Sequence, residues 1–330
     1  MLNRKGGNMW GLLQKITKNL VVFIPLSLLL GFIFGLYFDL SFLKSFVLFF
    51  TFLMIYPMMI GVNFKKLKEP GDTKVLLTAQ IINFFIIPFV AFYLGKIFFG
   101  DNYYLTLGLL LSGLVPTSGM TISWTGFAKG NVEAAIKMTV IGLILGSLAT
   151  PFYVSFLMSA YLKVDVVYIF KQILIIVIIP MIAGYITQRY LVKTYGPEKF
   201  KKNIMPRLSG ISTLGVLGIV FTAMALKADD IAKNYVLLLQ IFLPIVIFYA
   251  LNFFLSTMVG KLFFNRGDAI ALVYGTVMRN LSICLAIAMM TFGKTAPEVA
   301  LVIALSFIVQ VQSAAWYVRL SDRIFGKPAN

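Results

Sequence analysis

The sequence predicts an all-α integral membrane protein, with ten transmembrane helices in two inverted five-helix repeats, and three observations carry that prediction. The first is composition: 60% of the 330 residues are hydrophobic and 12% charged, with a mean hydropathy of +0.92, a balance that no water-soluble globule sustains. The second is a set of apolar runs about as long as the roughly 20 residues needed to cross a bilayer. They lie near 18–39, 42–62, 75–99, 103–127, 133–160, 167–190, 208–227, 235–262, 269–292 and 297–319. The third is the placing of cations, which fall mainly on the segments between those runs.

The chain carries 29 Lys plus Arg against 12 Asp plus Glu. In a soluble protein that excess suggests nucleic acid. Beside apolar spans it reads as the positive-inside bias, so the expected surroundings are the lipid bilayer and no nucleic acid. An inner N-terminus places Arg4, Lys5, Lys15, the Lys65, Lys66 and Lys68 cluster, Lys129, Lys137, the Arg189 to Arg207 stretch, Arg319 and Arg323 on the cytoplasmic side. Lys44, Lys96, Lys163, Lys171, Lys227, Lys233 and Lys294 fall on the other. Both termini are therefore expected in the cytoplasm, with the spans in the cell membrane. The first apolar run is as long as a full span and lacks a small-residue cleavage site, so it reads as a retained helix. One cysteine and no histidine argue against a disulfide or a structural metal, and no cofactor is expected. The polar interval from Arg189 to Arg207 is too short for a separate domain, so residues 1–330 read as one transmembrane domain.

An internal repeat runs through it. Gly95–Asp101 (GKIFFGD) returns as Gly260–Asp268 (GKLFFNRGD), each joining two apolar runs. The runs that follow end at Phe127-Ala-Lys-Gly130 and Phe292-Gly-Lys-Thr295. Repeat one spans about 18–160 and repeat two about 167–320. A unit of five helices is odd, so its two copies enter the membrane in opposite senses, as in secondary transporters.

Both runs at the matching place carry residues that continue a helix poorly. Val115–Ser123 (VPTSGMTIS) contains Pro116, without a backbone donor, and Gly119, without a side chain; Tyr274–Asn280 (YGTVMRN) lies at the equivalent place. A broken helix in hydrocarbon is tolerated only where protein, water or ligand satisfies the freed groups, so these stretches predict a binding site. Arg279 is its most informative member. A buried arginine costs roughly 2.5–3.5 kcal/mol on insertion scales, and the acidic residues all fall in loops or at helix ends. It either caps carbonyls of the opposite break, or, with two inward-pointing helix N-termini, grips an oxyanion. Elsewhere Asn131 reads as the N-cap of the fifth run, with Glu133 and Lys137 four apart on one face.

The residues also carry a family resemblance. Leu53–Pro57 (LMIYP) before a basic loop, Gln80 and Asn83 ahead of Pro88, Ser123–Asn131 (SWTGFAKGN), Arg279–Ala288 (RNLSICLAIA) and Phe292-Gly293 resemble, over nearly the whole chain, one transporter superfamily. It joins the bile acid:sodium symporters to the arsenite-efflux permeases of arsenical resistance, and the first half is closer to the permeases. The resemblance implies panel and core subdomains, with helices four and nine unwinding where they cross, and transport by alternating access. Substrate contacts are then expected from Thr117, Ser118, Gly119, Thr121, Arg279, Asn280, Ser282 and Gln310, the last matching a family glutamate.

Departures from the family shape the substrate expectation. Arsenite permeases have a cysteine where Thr117 stands and a glutamate where Ser282 stands, and trivalent arsenic prefers thiolate. The lone Cys284 reads as a small packing residue. Bile acid symporters have sodium-ligating glutamate and glutamine at Gly275 and Arg279, so sodium coupling there is not expected. Asn83, Thr121 and Thr139 either supply oxygens to an ion or bond neighbouring helices. The expected function is secondary transport of a small anion, driven by membrane potential. An arsenite permease and a sodium-coupled organic-acid symporter are the alternatives. A channel lacks its usual repeats around a pore axis, and an enzyme lacks acid–base residues within the spans.

Overall fold

The computed structural model describes residues 4–62, 69–163, 165–233 and 236–327; the Lys65, Lys66 and Lys68 cluster lies outside the described residues. Among them the chain is helical, without a strand. The helices are α1 (Arg4–Lys18), α2 (Leu20–Tyr37), α3 (Ser41–Ile60), α4 (Thr73–Phe99), α5 (Tyr103–Leu114), α6 (Gly119–Phe127), α7 (Val132–Met158), α8 (Val166–Tyr195), α9 (Pro197–Ala225), α10 (Ala228–Lys233), α11 (Val236–Phe263), α12 (Arg266–Val277), α13 (Leu281–Thr291) and α14 (Gly293–Phe325). Among these, α3, α4, α7, α8, α9, α11 and α14 are long and apolar enough to cross a membrane, and α1 with α2 makes a pair bent by 95°. The runs 103–127 and 269–292 are each divided into two shorter helices.

One stretch differs from its sequence reading. The polar interval from Arg189 to Arg207 is almost wholly helical, because lysine and arginine are good helix formers once a helix is under way. Only Gly196, at φ 78, separates α8 from α9, a left-handed turn that favours glycine. Three π-helical turns were also not foreseen. They occupy Ile82–Ile86, Leu174–Ile178 and Phe200–Ile204, each ending two residues before a proline, Pro88, Pro180 or Pro206. A proline gives no amide hydrogen to the carbonyl four residues back and crowds it, and widening the preceding turn accommodates both effects. For Pro88 that carbonyl belongs to Phe84, and the Tyr153 hydroxyl donates to it.

The chain forms two compact units. One holds residues 4–62, 171–233 and 285–301. Within it α9 packs against α1, α2 and α3 through small residues. A side chain at Gly215 would lie 2.5 Å from the Met54 amide nitrogen, and one at Gly31 would lie 2.6 Å from the Phe221 carbonyl oxygen. Backbones that close come within reach of hydroxyls: Ser27 donates to the Leu217 carbonyl at 2.8 Å and Ser212 to the Met54 carbonyl at 2.5 Å.

The other unit holds residues 69–163, 165–170, 236–284 and 302–327. Here α7 packs against α4, α5, α6 and α12, while α11 packs against α4 and α12. A polar knot joins the first turns of α4, α7 and α12. Asn131 caps α7 by accepting from the Ala134 amide at 3.0 Å, and its side-chain amide donates to Asp72 and Asp268 at 2.8 Å each. Lys137, only 2% exposed, reaches Asp72 at 2.7 Å and the Pro70 carbonyl at 3.2 Å. At the same end Arg266 donates to the Ala128 and Lys129 carbonyls that finish α6, and to Asp322. A cation there also offsets the negative end of the helix dipole.

Removing Asp72 would leave the Lys137 ammonium buried without its counterion, a loss of about 3–5 kcal/mol for a buried pair. Asp72→Ala should therefore lower the melting temperature of the purified protein markedly. Glu198→Ala, which breaks the exposed Lys202–Glu198 pair at 2.9 Å, should leave it unchanged. Equal melting temperatures for the two variants would contradict the assignment.

Candidate functional site

The two interrupted runs meet each other. α5 ends at Leu114 and α6 begins at Gly119; α12 ends at Val277 and α13 begins at Leu281. The residues between pair as an isolated antiparallel bridge of Pro116 with Arg279. The Thr117 amide donates to the Met278 carbonyl at 2.7 Å, and the Asn280 amide donates to the Val115 carbonyl at 2.8 Å. Each break thus satisfies part of what the other leaves open.

Close approach by α7 makes room for this. A side chain at Gly142 would strike the Thr117 hydroxyl and lie 2.8 Å from the Pro116 carbonyl, and one at Gly146 would lie 2.5 Å from Pro116 Cδ. Thr117 takes φ 64, a left-handed conformation unusual for a β-branched residue. Its hydroxyl donates to the Pro116 carbonyl at 2.6 Å and lies 3.2 Å from the Met138 carbonyl.

Most of the polar residues expected to touch substrate are used to hold the breaks. Ser118 accepts from the Met120 amide at 3.2 Å, while its own amide donates to the Thr121 hydroxyl at 3.0 Å, closing a capping box at the start of α6. Asn280 accepts from the Ile283 amide at 3.3 Å at the start of α13. The Gln310 amide clamps the Arg279 backbone: Oε1 accepts from the Arg279 amide at 2.7 Å, and Nε2 donates to its carbonyl at 3.2 Å. The Tyr249 hydroxyl donates to the same Oε1 at 3.0 Å. Gly119 is exposed, with nothing within 4 Å of where a Cβ would stand, and Ser282 is half-buried.

Arg279 stands apart. It is wholly buried, and Nε, Nη1 and Nη2 have no hydrogen-bond partner among the described residues. Backbone amides take the Val115 and Met278 carbonyls, Gln310 takes that of Arg279 and the Thr117 hydroxyl that of Pro116, and the guanidinium bonds no carbonyl among the described residues, so capping is not its work. Its titratable electrostatic neighbours are Tyr249 and Cys284, and the Cys284 thiol donates to the Leu111 carbonyl at 3.0 Å. The two expected helix N-termini, those of α6 and α13, both lie at the crossing. Two C-termini, of α5 and α12, arrive at the same place, so the half-helix dipoles partly offset and the guanidinium is the main positive charge.

Asn83, Thr121 and Thr139 go to two different places. Asn83 donates to the Gly275 carbonyl at 3.0 Å, while its Oδ1 has no partner among the described residues. Thr121 and Thr139 both turn to Ser118, Thr139 also donating to the Ala135 carbonyl at 2.7 Å. At Gly275 the Met138 sulfur fills the space that a side chain would need. Sequence reading missed Tyr249 and Met138. A tyrosine hydroxyl in the middle of an apolar run, which needs a partner, was the available signal for the first, and Gly142 with Gly146, a small-residue pair four apart, signalled the close approach.

A model of the sodium bile acid symporter family matches residues 48–234. Arsenical-resistance protein Acr3 of Alkaliphilus metalliredigens is 24% identical over 287 residues, covering 82% of this chain and 79% of that protein. Acr3 of Corynebacterium glutamicum is 24% identical over 259 residues, covering 74% and 70%. The probable sodium/metabolite cotransporter BASS1 of Arabidopsis thaliana is 26% identical over 144 residues, covering 44% and 35%.

Gln310→Leu strips the Arg279 amide and carbonyl of their partners at about 1–3 kcal/mol for each buried group left unsatisfied. Its melting temperature should fall well below that of Tyr249→Phe, which removes one hydroxyl. A Gln310→Leu protein as stable as the wild type would show that the clamp does not hold the break.

Proposed function

The chain belongs to the sodium bile acid symporter family, and we propose that it is a secondary transporter carrying a small anion, organic or arsenical, by alternating access. Transporter, as opposed to enzyme, follows from the family and from relatives named for arsenical resistance and sodium-linked transport. The narrower reading adds ten spans in two inverted repeats, set in the cell membrane with both termini cytoplasmic.

The observation that carries the anion reading is the Arg279 guanidinium, buried at the crossing of two broken helices with no hydrogen-bond partner for its three nitrogens among the described residues. A charge so placed is costly unless a ligand completes it, and a planar fork of donors matches a carboxylate or another oxyanion in bidentate fashion. In this reading Arg279 grips the cargo, and Gly119 and Ser282 border it. Thr117, Ser118, Thr121, Asn280 and Gln310 fix the backbone that aims the guanidinium. At position 279 a cation, and at Gly275 the space filled by Met138, supply no oxygen ligand and so disfavour sodium at these positions. Asn83 Oδ1 is the one spare oxygen among Asn83, Thr121 and Thr139 that a coupling ion would find. The membrane potential supplies roughly 2.3 kcal/mol per charge for each 100 mV, enough to drive an anion outward. The Acr3 relatives favour a second reading, arsenite efflux, with Cys284 as the sole thiol available.

Thermal stabilisation of the purified protein distinguishes these. Among arsenite, bile acids and 2-keto or 2-hydroxy acids, an anion should raise the melting temperature without sodium, and Arg279→Gln should abolish the rise. A shift given by arsenite alone and lost in Cys284→Ala would support the second reading. A shift that requires sodium and survives in Arg279→Gln would overturn the first.

A further inference from the structure

The unit built around α9 carries its charge unevenly. At one end lie the exposed Lys15, Arg189, Lys193, Lys199, Lys201 and Arg207. Lys202 is there too, paired with Glu198 at 2.9 Å, which is the only carboxylate in this part of the sequence. At the other end of α2 and α9 the signs are mixed: Asp39 and Asp229 stand among Lys44 and Lys233, and Lys227 pairs with Glu298 at 3.7 Å. Transport at Arg279 makes no use of this asymmetry.

The basic end is also where the chain bends sharply between two helices of this unit. α1 turns 95° away from α2 and packs against the first half of α9. Leu13, 9% exposed, is seated over Gly210, and the Thr17 and Thr213 hydroxyls are 3.0 Å apart. The Arg207 guanidinium stacks over the Trp10 ring at 5.4 Å. Leu12, on the same helix, remains 58% exposed. A helix bearing tryptophan, exposed leucine and lysine, set at 95° to the apolar α2, has the composition of one lying in the interface, with its apolar side in acyl chains and its cations among headgroups. Four to eight cations beside a membrane helix attract an anionic surface by about 1 kcal/mol each, falling off within a Debye length.

From these placements we infer that the end of this unit formed by α1 and the α8–α9 turn is a binding surface for anionic phospholipid headgroups. Trp10 and Leu12 enter the acyl boundary, while Lys15, Lys199, Lys201 and Arg207 hold the phosphates. The inference stands independently of what Arg279 binds. Charge complementarity selects a lipid as occupant, because the cations are spread along α1 and the adjoining ends of α8 and α9 and are not gathered into a pocket that would enclose a soluble phosphate.

Hydrogen exchange of the full-length protein in nanodiscs tests it. Discs of phosphatidylcholine alone are compared with discs of phosphatidylcholine mixed with phosphatidylglycerol. Exchange in α1 should slow several-fold in the anionic discs, and high salt should remove most of that protection. The variant Lys199→Gln/Lys201→Gln/Arg207→Gln should exchange as the wild type does in neutral discs and show no slowing in anionic ones. Equal exchange of wild-type α1 in the two lipids would overturn the inference, as would protection retained by the variant. Slowing in neutral discs on adding glycerol phosphate would overturn the lipid assignment in favour of a soluble phosphate.

Discussion

Two short stretches that cannot stay helical exchange backbone hydrogen bonds with each other, and the arrangement of the unit around α7 depends on that exchange. In water a break at Pro116 or Met278 would be solvated at little cost. Within a membrane each freed amide or carbonyl needs a partner, and the cheapest is another break presenting the complementary groups. The reciprocal bonds of Thr117 with Met278 and of Asn280 with Val115 meet that need. They also fix where α5, α6, α12 and α13 end and begin.

The neighbouring residues follow from keeping the pair in place. Gly142 and Gly146 let α7 close on Pro116, Ser118 and Thr121 cap α6, and Gln310, itself held by Tyr249, secures both backbone groups of Arg279. Once these polar groups have bonded one another, the charged group left over at the crossing is a cation. The guanidinium is positioned through its backbone and has no hydrogen-bond partner among the described residues. This division between residues that hold and a residue that waits for a ligand is the basis of the transport reading.

Much of this was legible in the sequence, for identifiable reasons. Apolar runs announce spans because bilayer thickness fixes their length, and Pro116 and Gly119 announce a break because their defects are local. The N-cap of Asn131 is local too, and the structure has it. What stayed hidden depends on distant residues. Lys137 lies four residues from Glu133, yet its ammonium bonds Asp72, 65 positions away, a choice that spacing along one helix cannot reveal. The grip of Gln310 on a backbone 31 positions away is of the same kind. The π-helical turns were missed for another reason: a proline marks a disturbance without saying whether the helix kinks, stops or widens. Arg279 was conspicuous from its cost, but that its side chain, unlike its backbone, would be left without a partner required coordinates.

The claim that one unpartnered guanidinium receives the cargo is tested most directly by uptake of a labelled anion into proteoliposomes holding wild-type, Arg279→Lys or Arg279→Gln protein. The account predicts transport by the wild type, reduced transport by the lysine variant, which keeps the charge but loses the fork, and none by the glutamine variant. Uptake by the glutamine variant at the wild-type rate would contradict it.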